Sequence, residues 1–198
     1  MENNSINDES TKARIVSEAI KLFSLKGYEK TSVKEIVEAA NVSKPVLYYY
    51  FKNKDSLFKH ILENGIHSLH NSLYKIMESS DENIRDILEK LTQVHLNAAV
   101  ENTNFIRFLH SIIFSGLYDD ICDFHKTAVK FFDDLSNVFS KWQKKNLIRN
   151  DISPKILAGS FLALVRGNMM AITYEIIKKD KMPTSHDLVE IFLGGVKK

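Results

Sequence analysis

SVKEIVEAANVSKPVLYYYFKNKDSLF, residues 32–58, is the stretch on which the fold turns. Val33, Ile36, Val37 and Ala40 recur at three- and four-residue spacing, so they share one face of a short helix. Asn41 stops that helix, because asparagine tolerates the left-handed backbone that a helix end requires. Val42 fills the corner. Ser43 is a fitting N-cap for the next helix, and Pro45 falls in its first turn, where a missing N–H costs nothing. The second helix turns Leu47 and Phe51 inward at i, i+4, while Lys44, Tyr48, Tyr49 and Lys52 occupy its other face. Two short helices about a tight turn, the second showing Lys, Ser and Tyr, match the helix-turn-helix geometry that lays its second helix in the DNA major groove. An ordinary helical hairpin with half-buried tyrosines has the same local pattern, so the surrounding residues decide.

Those residues carry a resemblance. Gly27-Tyr28, Thr31-Ser32, Ile36, Ala39-Ala40, Val42-Ser43, Leu47-Tyr48, Tyr50-Phe51 and Lys54 with Asp55 and Leu57 together resemble the N-terminal domain of the TetR (tetracycline-repressor-like) family of transcription regulators, over residues 11–58. Asn41 stands where that family usually has glycine, and both accept the turn conformation. Lys44-Pro45 stands where many members have a small residue, which makes the base-reading surface individual. The resemblance implies an all-α chain, with a three-helix DNA-binding domain over residues 1–58 and a helical ligand-binding and dimerisation domain over residues 59–198. Residues 1–10 read as a disordered arm. It further implies phosphate contacts from Thr31 or Ser32, Tyr49, Tyr50 and Lys54, and base contacts from Ser43, Lys44, Pro45 and Tyr48. The implied partner is a palindromic double-stranded operator, bound by a homodimer acting as a repressor that a small molecule releases.

Composition permits this reading without demanding it. With 198 residues, 44% hydrophobic and 26% charged, the chain has enough apolar surface for one or two cored domains. Seven Gly and three Pro leave few breaks, which favours long helices. A single cysteine, Cys122, suits a reducing cytoplasm, and the polar N-terminus MENNSINDEST has no apolar segment of a signal peptide. The net charge of +2 is too small to announce nucleic-acid binding. Residues 11–58, however, hold nine Lys or Arg against five Asp or Glu.

Along the chain, Ile15, Ala19, Leu22 and Phe23 stripe a first helix that is expected to start near Ser10 or Thr11 and to end at Gly27. From Asn53 a long helix carries Leu57, Phe58, Ile61, Leu62, Ile66, Leu69, Leu73 and Ile76, long enough to join the DNA-reading head to the rest. Its His60, His67 and His70 read as solvated surface, since nothing completes a metal-ligand set. Helices follow at 83–100, 105–115, 120–146 and 154–179, and no strand alternation appears. The 154–179 segment is apolar almost all round. A membrane span is the alternative there, but Arg166, Asn168 and Thr173 make insertion costly. Gly159, Ala163, Gly167 and Ala171 repeat every four residues, a small stripe that admits a second helix closely. With Leu188, Ile191 and Phe192 of the last helix it forms the dimer surface the resemblance implies.

Arg107, His110, Phe114, Arg166, Met170 and Tyr174 are polar or adaptable groups inside apolar helices, as an effector pocket needs. A buried polar network, or the dimer seam, explains them as well. The effector they suit is small and apolar or anionic. A helical DNA-organising protein without an inducer is the competing reading. Catalysis has no foothold: there is no phosphate loop, no G-x-S-x-G, no H-E-x-x-H, and no cofactor motif. The acidic cluster Asp119, Asp120 and Asp123 beside Cys122 disfavours a reactive thiolate.

Overall fold

A computed structural model describes residues 2–78, 83–115 and 124–196, and the side chains of these apart from 2–8, 114–115 and 124–125. The acidic cluster Asp119, Asp120 and Asp123 with Cys122, and the side chain of Phe114, lie outside the described residues. Among those described there are nine α-helices and no strand: α1 (Glu2–Lys26), α2 (Val33–Ala39), α3 (Lys44–Tyr50), α4 (Lys54–Glu78), α5 (Ile84–Glu101), α6 (Thr103–Ser115), α7 (Phe124–Lys144), α8 (Pro154–Thr173) and α9 (Ser185–Val196). The all-α expectation holds. Helix α1 begins at Glu2, well before Ser10, where a disordered arm was expected. Polarity alone does not end a helix. No Gly or Pro interrupts residues 2–26, and acidic residues near an N-terminus suit the helix dipole. Gly27, at φ +82°, stops it.

The chain divides into two compact units, Met1–Ile66 with Asn104–Cys122, and His67–Thr103 with Asp123–Lys198. Helix α4 passes without a break from the first into the second.

The first unit closes Ile15, Ala19 and Phe23 of α1, Ile36 and Val37 of α2, Leu47 of α3 and Leu57, Phe58, Ile61 and Leu62 of α4 around one core. Into that core α6 sends Ile106, Phe108 and Ile112. The Phe108 ring stacks on Phe23 at 5.4 Å and meets Phe58 edge-on, also at 5.4 Å. Gly65 is the notch that lets α6 lie against α4, for a Cβ there would stand 2.1 Å from the Phe105 ring. From sequence, α6 goes with the region after residue 58. The difference is physical: an amphipathic pattern says that a helix has a core face, and not which core receives it.

In the second unit α5 and α7 pack on α8, and α5 also packs on α9. Leu88, Leu91, Phe131, Leu135, Phe139, Phe161, Val165 and Phe192 fill its centre. Leu188, Val189, Phe192, Leu193 and Val196 all face inward from α9, so Leu188 and Phe192 belong to the chain's own core and not to an outer face. That register leaves Ile191, 66% exposed, on the outside. On α8, Ala163 and Gly167 are exposed and Gly159 half-exposed. Although α8 is long and apolar enough to cross a membrane, Leu157, Ala158, Phe161, Leu162 and Val165 lock it into a protein core.

Candidate nucleic-acid interface

The turn between α2 and α3 is built as its sequence requires. Asn41 takes φ +50°, its N–H donates to the Glu38 carbonyl at 3.2 Å, and the Val42 N–H donates to the Val37 carbonyl at 2.9 Å. Ser32 and Glu35 form a reciprocal capping box at the start of α2. Lys26 adds a hydrogen bond to Glu35, and this, followed by the Ser32 backbone and hydroxyl, holds the Glu35 carboxyl down at about 2. Two side chains fasten the motif to its neighbours. The Arg14 Nε–H donates to the Ala40 carbonyl at 2.8 Å, closing the C-terminal end of α2. Lys54 Nζ donates to the Tyr28 and Thr31 carbonyls at 3.0 and 3.1 Å and sits 4.1 Å from the centre of the Tyr28 ring. Tyr28 in turn donates its hydroxyl to Asp55, and burial, then Asp55, raises the phenol's pKa.

Leu47 and Phe51 point into the core, which turns the rest of α3 outward. Ser43 occupies the N-cap position, yet its hydroxyl makes no capping bond. Ser43, Lys44 and Pro45 are exposed, as are Tyr48 at 49% and Tyr49 at 76%. Tyr50 is half-buried, its ring 5.0 Å from Tyr49 and perpendicular to it. The expected base-reading set therefore shares one open face. The phosphate set is more mixed. Thr31 is 1% exposed and donates its hydroxyl to the Gly27 carbonyl at 2.8 Å, so it serves the turn; of the pair Thr31 or Ser32, Ser32 is the accessible one. Lys54 is half-buried and spends two of its donors on the loop before α2.

The expected effector residues fall in both units. Arg107 and His110 lie in the first, the former half-buried and the latter buried; Arg166, Met170 and Tyr174 lie in the second. His70, expected on solvated surface, is half-buried with its ring stacked on Phe131 at 5.4 Å, because the α4 stripe of Leu69 and Leu73 carries it inward. His95 was missed altogether. It is 2% exposed, and its Nδ1–H donates to the Leu91 carbonyl at 2.8 Å. Its signal was there to be read, since Leu88, Leu91, Thr92, His95 and Ala99 share a helical face.

Burial, then the charge of Arg166 and the nearness of His70, pushes His95 from an ordinary 6.5 down to about 4, against the raising effect of the Leu91 carbonyl. The folded chain thus keeps His95 neutral where the unfolded chain protonates it. The stability this gives is complete above pH 6.5 and is lost as pH falls through 4. The loss amounts to about 3 kcal/mol in all, with about 2 kcal/mol gone by pH 5. Urea unfolding at pH 7 and pH 5 should show a smaller acid loss for His95→Leu than for wild type, by about that amount; equal losses would refute it.

Residues 15–61 match the family model described as bacterial regulatory proteins, tetR family. The chain is 26% identical over 157 residues to IcaR of Staphylococcus aureus (strain Newman), a biofilm operon icaADBC HTH-type negative transcriptional regulator, covering 76% of this chain and 84% of IcaR. Among solved structures, the MbdR regulator from Azoarcus sp. CIB superposes with a TM-score of 0.77 at 22% identity, covering 93% of this chain and 98% of MbdR. AibR, in complex with isovaleryl coenzyme A and operator DNA, gives a TM-score of 0.69 at 22% identity, covering 93% of this chain and 97% of AibR. These two establish likeness of fold over nearly the whole length. The helix-turn-helix geometry, the family match over residues 15–61 and the regulator relatives lead to one conclusion: the N-terminal head of this chain is similar to the DNA-binding domain of the tetR family of bacterial regulatory proteins.

Proposed function

We propose that this chain is a cytoplasmic, dimeric repressor that reads a palindromic operator through α3 and releases it when a small molecule binds the C-terminal helices. The open face of Ser43, Lys44, Pro45 and Tyr48 carries the reading: cationic and aromatic side chains stand exposed on a short helix whose opposite side is anchored by Leu47 and Phe51. Lys44 reaches guanine acceptors, the Tyr48 ring packs on a thymine methyl, and the free Ser43 hydroxyl is available to either. Ser32, Tyr49 and Tyr50 meet phosphates, with the remaining donor of Lys54. Residues 1–58 supply the DNA contacts and residues 59–198 the effector and dimer surfaces, although α6 shares the core of the head. IcaR is named as a negative regulator, and AibR was solved with an acyl-coenzyme A and operator DNA together; both support a repressor with an effector.

The test is selection from a randomised duplex pool followed by affinity measurement. Lys44→Met should weaken binding to the selected operator by about 1–3 kcal/mol and relax preference at one position of each half-site. Tyr48→Ala should change which base is preferred beside it. Should both variants select the wild-type sequence at wild-type affinity, α3 is not the reading helix. Because Lys54 also caps the loop at Tyr28 and Thr31, its replacement weakens the head itself and is the poorer probe of phosphate contact.

A further inference from the structure

The nine cations of residues 11–58 are not equally free to meet an anion. Lys21, Lys26 and Lys34 are held by Glu18, Glu35 and Glu38, and Lys54 is folded onto two carbonyls. Arg14, exposed on α1, is held by one atom only: its Nε–H donates to the Ala40 carbonyl at 2.8 Å. A guanidinium carries five N–H donors, so four remain on its two amino groups. Among the described residues none of the four meets a carboxylate or a carbonyl. Glu18, the acid one turn along α1, is taken by Lys21 at 2.6 Å. Ala40 is the C-cap of α2, and the carbonyls at that end of a helix point outward along its axis. The guanidinium therefore stands beyond the end of α2, beside the turn from which α3 starts. Asn41, Ser43, Lys44 and Pro45, all exposed, follow directly.

In a helix-turn-helix the first residues of the second helix read base edges in the major groove. Ser43 is three residues from Ala40, a length of chain that spans at most about 11 Å. The groove is about 12 Å wide. With Ser43 and Lys44 over base edges, a group tethered that near stands at the lip of the groove, where the phosphates run. We infer that Arg14 is a further DNA contact: with Nε fixed on the Ala40 carbonyl, its two amino groups bind a backbone phosphate beside each half-site. This rests on the operator-binding reading of α3 and adds to it a contact from a helix outside the helix-turn-helix. The guanidinium fork matches two phosphate oxygens in parallel hydrogen bonds. Fixing Nε beforehand leaves the fork fewer rotamers to lose when the phosphate arrives. The same tie joins the contact to the end of α2, so the phosphate it meets has a set register against the bases under α3.

The experiment uses the full-length protein and the operator that wild type selects from a randomised pool. Affinity is measured from about 50 to 200 mM salt for wild type, Arg14→Gln, Arg14→Lys and Arg14→Met, with thermal midpoints alongside. Arg14→Gln separates cap from contact: its amide nitrogen stands where Nε stood and still donates to Ala40, while the fork and the charge are gone. It should keep the wild-type midpoint and select the same operator, yet bind it at least tenfold more weakly. Its plot of log affinity against log salt should be shallower by about 2 for a dimer, at about 0.9 for each phosphate released. Arg14→Lys should keep the wild-type slope and recover part of the affinity. Arg14→Met, which also loses the cap, should bind no better than Arg14→Gln. Ethylation of one phosphate beside each half-site should weaken wild type and leave Arg14→Gln unmoved. An Arg14→Gln protein that binds like wild type at every salt would overturn the inference and reduce Arg14 to a cap of α2. So would a changed base preference at an unchanged slope, since residue 14 would then act only by setting α3. A wild type that selects no operator ends the repressor reading itself; one that selects an operator and is matched by Arg14→Gln ends this inference alone.

Discussion

Phe108→Ala should abolish operator binding, although residue 108 lies fifty residues beyond the helix-turn-helix. Its ring is fully buried between Phe23 of α1 and Phe58 of α4, at 5.4 Å from each. Removing it takes away a large apolar surface and leaves a cavity that two rigid helices cannot close, a loss of about 3–5 kcal/mol. Against a total stability of about 5–15 kcal/mol, that is a large fraction. For a chain of this size the thermal midpoint should fall by about 6–20 °C. Circular dichroism on heating gives the midpoint, and operator titration at a temperature where the variant is still folded separates melting from loss of contact. Phe108→Leu, which refills most of the space, should recover most of the stability. A midpoint within about 2 °C of wild type would show that α6 is not part of the head's core.

The second large effect is expected at Ala163, on the exposed side of α8. A phenylalanine there has no neighbour to disturb in its own core, yet it wedges apart any helix laid along the Gly159, Ala163 and Gly167 stripe. Ala163→Phe should therefore sediment as a monomer with unchanged helix content. Since two linked heads gain by effective concentration, operator affinity should fall by about 10²–10⁴-fold. Gly167→Ala is the milder companion. Nothing lies within 4 Å of the Cβ it adds, and alanine favours a helix by about 1 kcal/mol over glycine, so a weaker dimer there reads the approach of the partner helix directly. A wild-type protein that is monomeric and still binds the palindrome would end this account.

The helix-turn-helix was legible because its determinants are near neighbours in the chain: Ile36, Val37, Leu47 and Phe51 declare the buried face, Asn41 the turn, and the exposed remainder follows. Helix existence elsewhere was legible for the same reason. What spacing does not carry is the destination of a face. The docking of α6 into the head through Phe108, and the inward register that claims Leu188 and Phe192, depend on which helices meet. Long side chains were equally opaque. Lys54, expected on phosphate, and Arg14 both fold back onto carbonyls 23 to 26 residues away in sequence. Spacing was enough to put His95 on the buried face of α5, but its proton and its neighbours are placed only by the fold.

The head's core is interrupted in the chain by residues 67–103, and this bears on how the protein is made. A ribosome adding about 5–20 residues per second delivers Phe108 roughly 2–8 s after Ile66. For that interval Phe23 and Phe58 emerge with their aromatic partner still unsynthesised, an apolar face open to chaperones or to neighbouring nascent chains. The same gap governs transplantation. A DNA-reading module cut at residue 66 and grafted onto another protein carries this face uncovered, whereas one that brings α6 along as a separate segment carries its own lid.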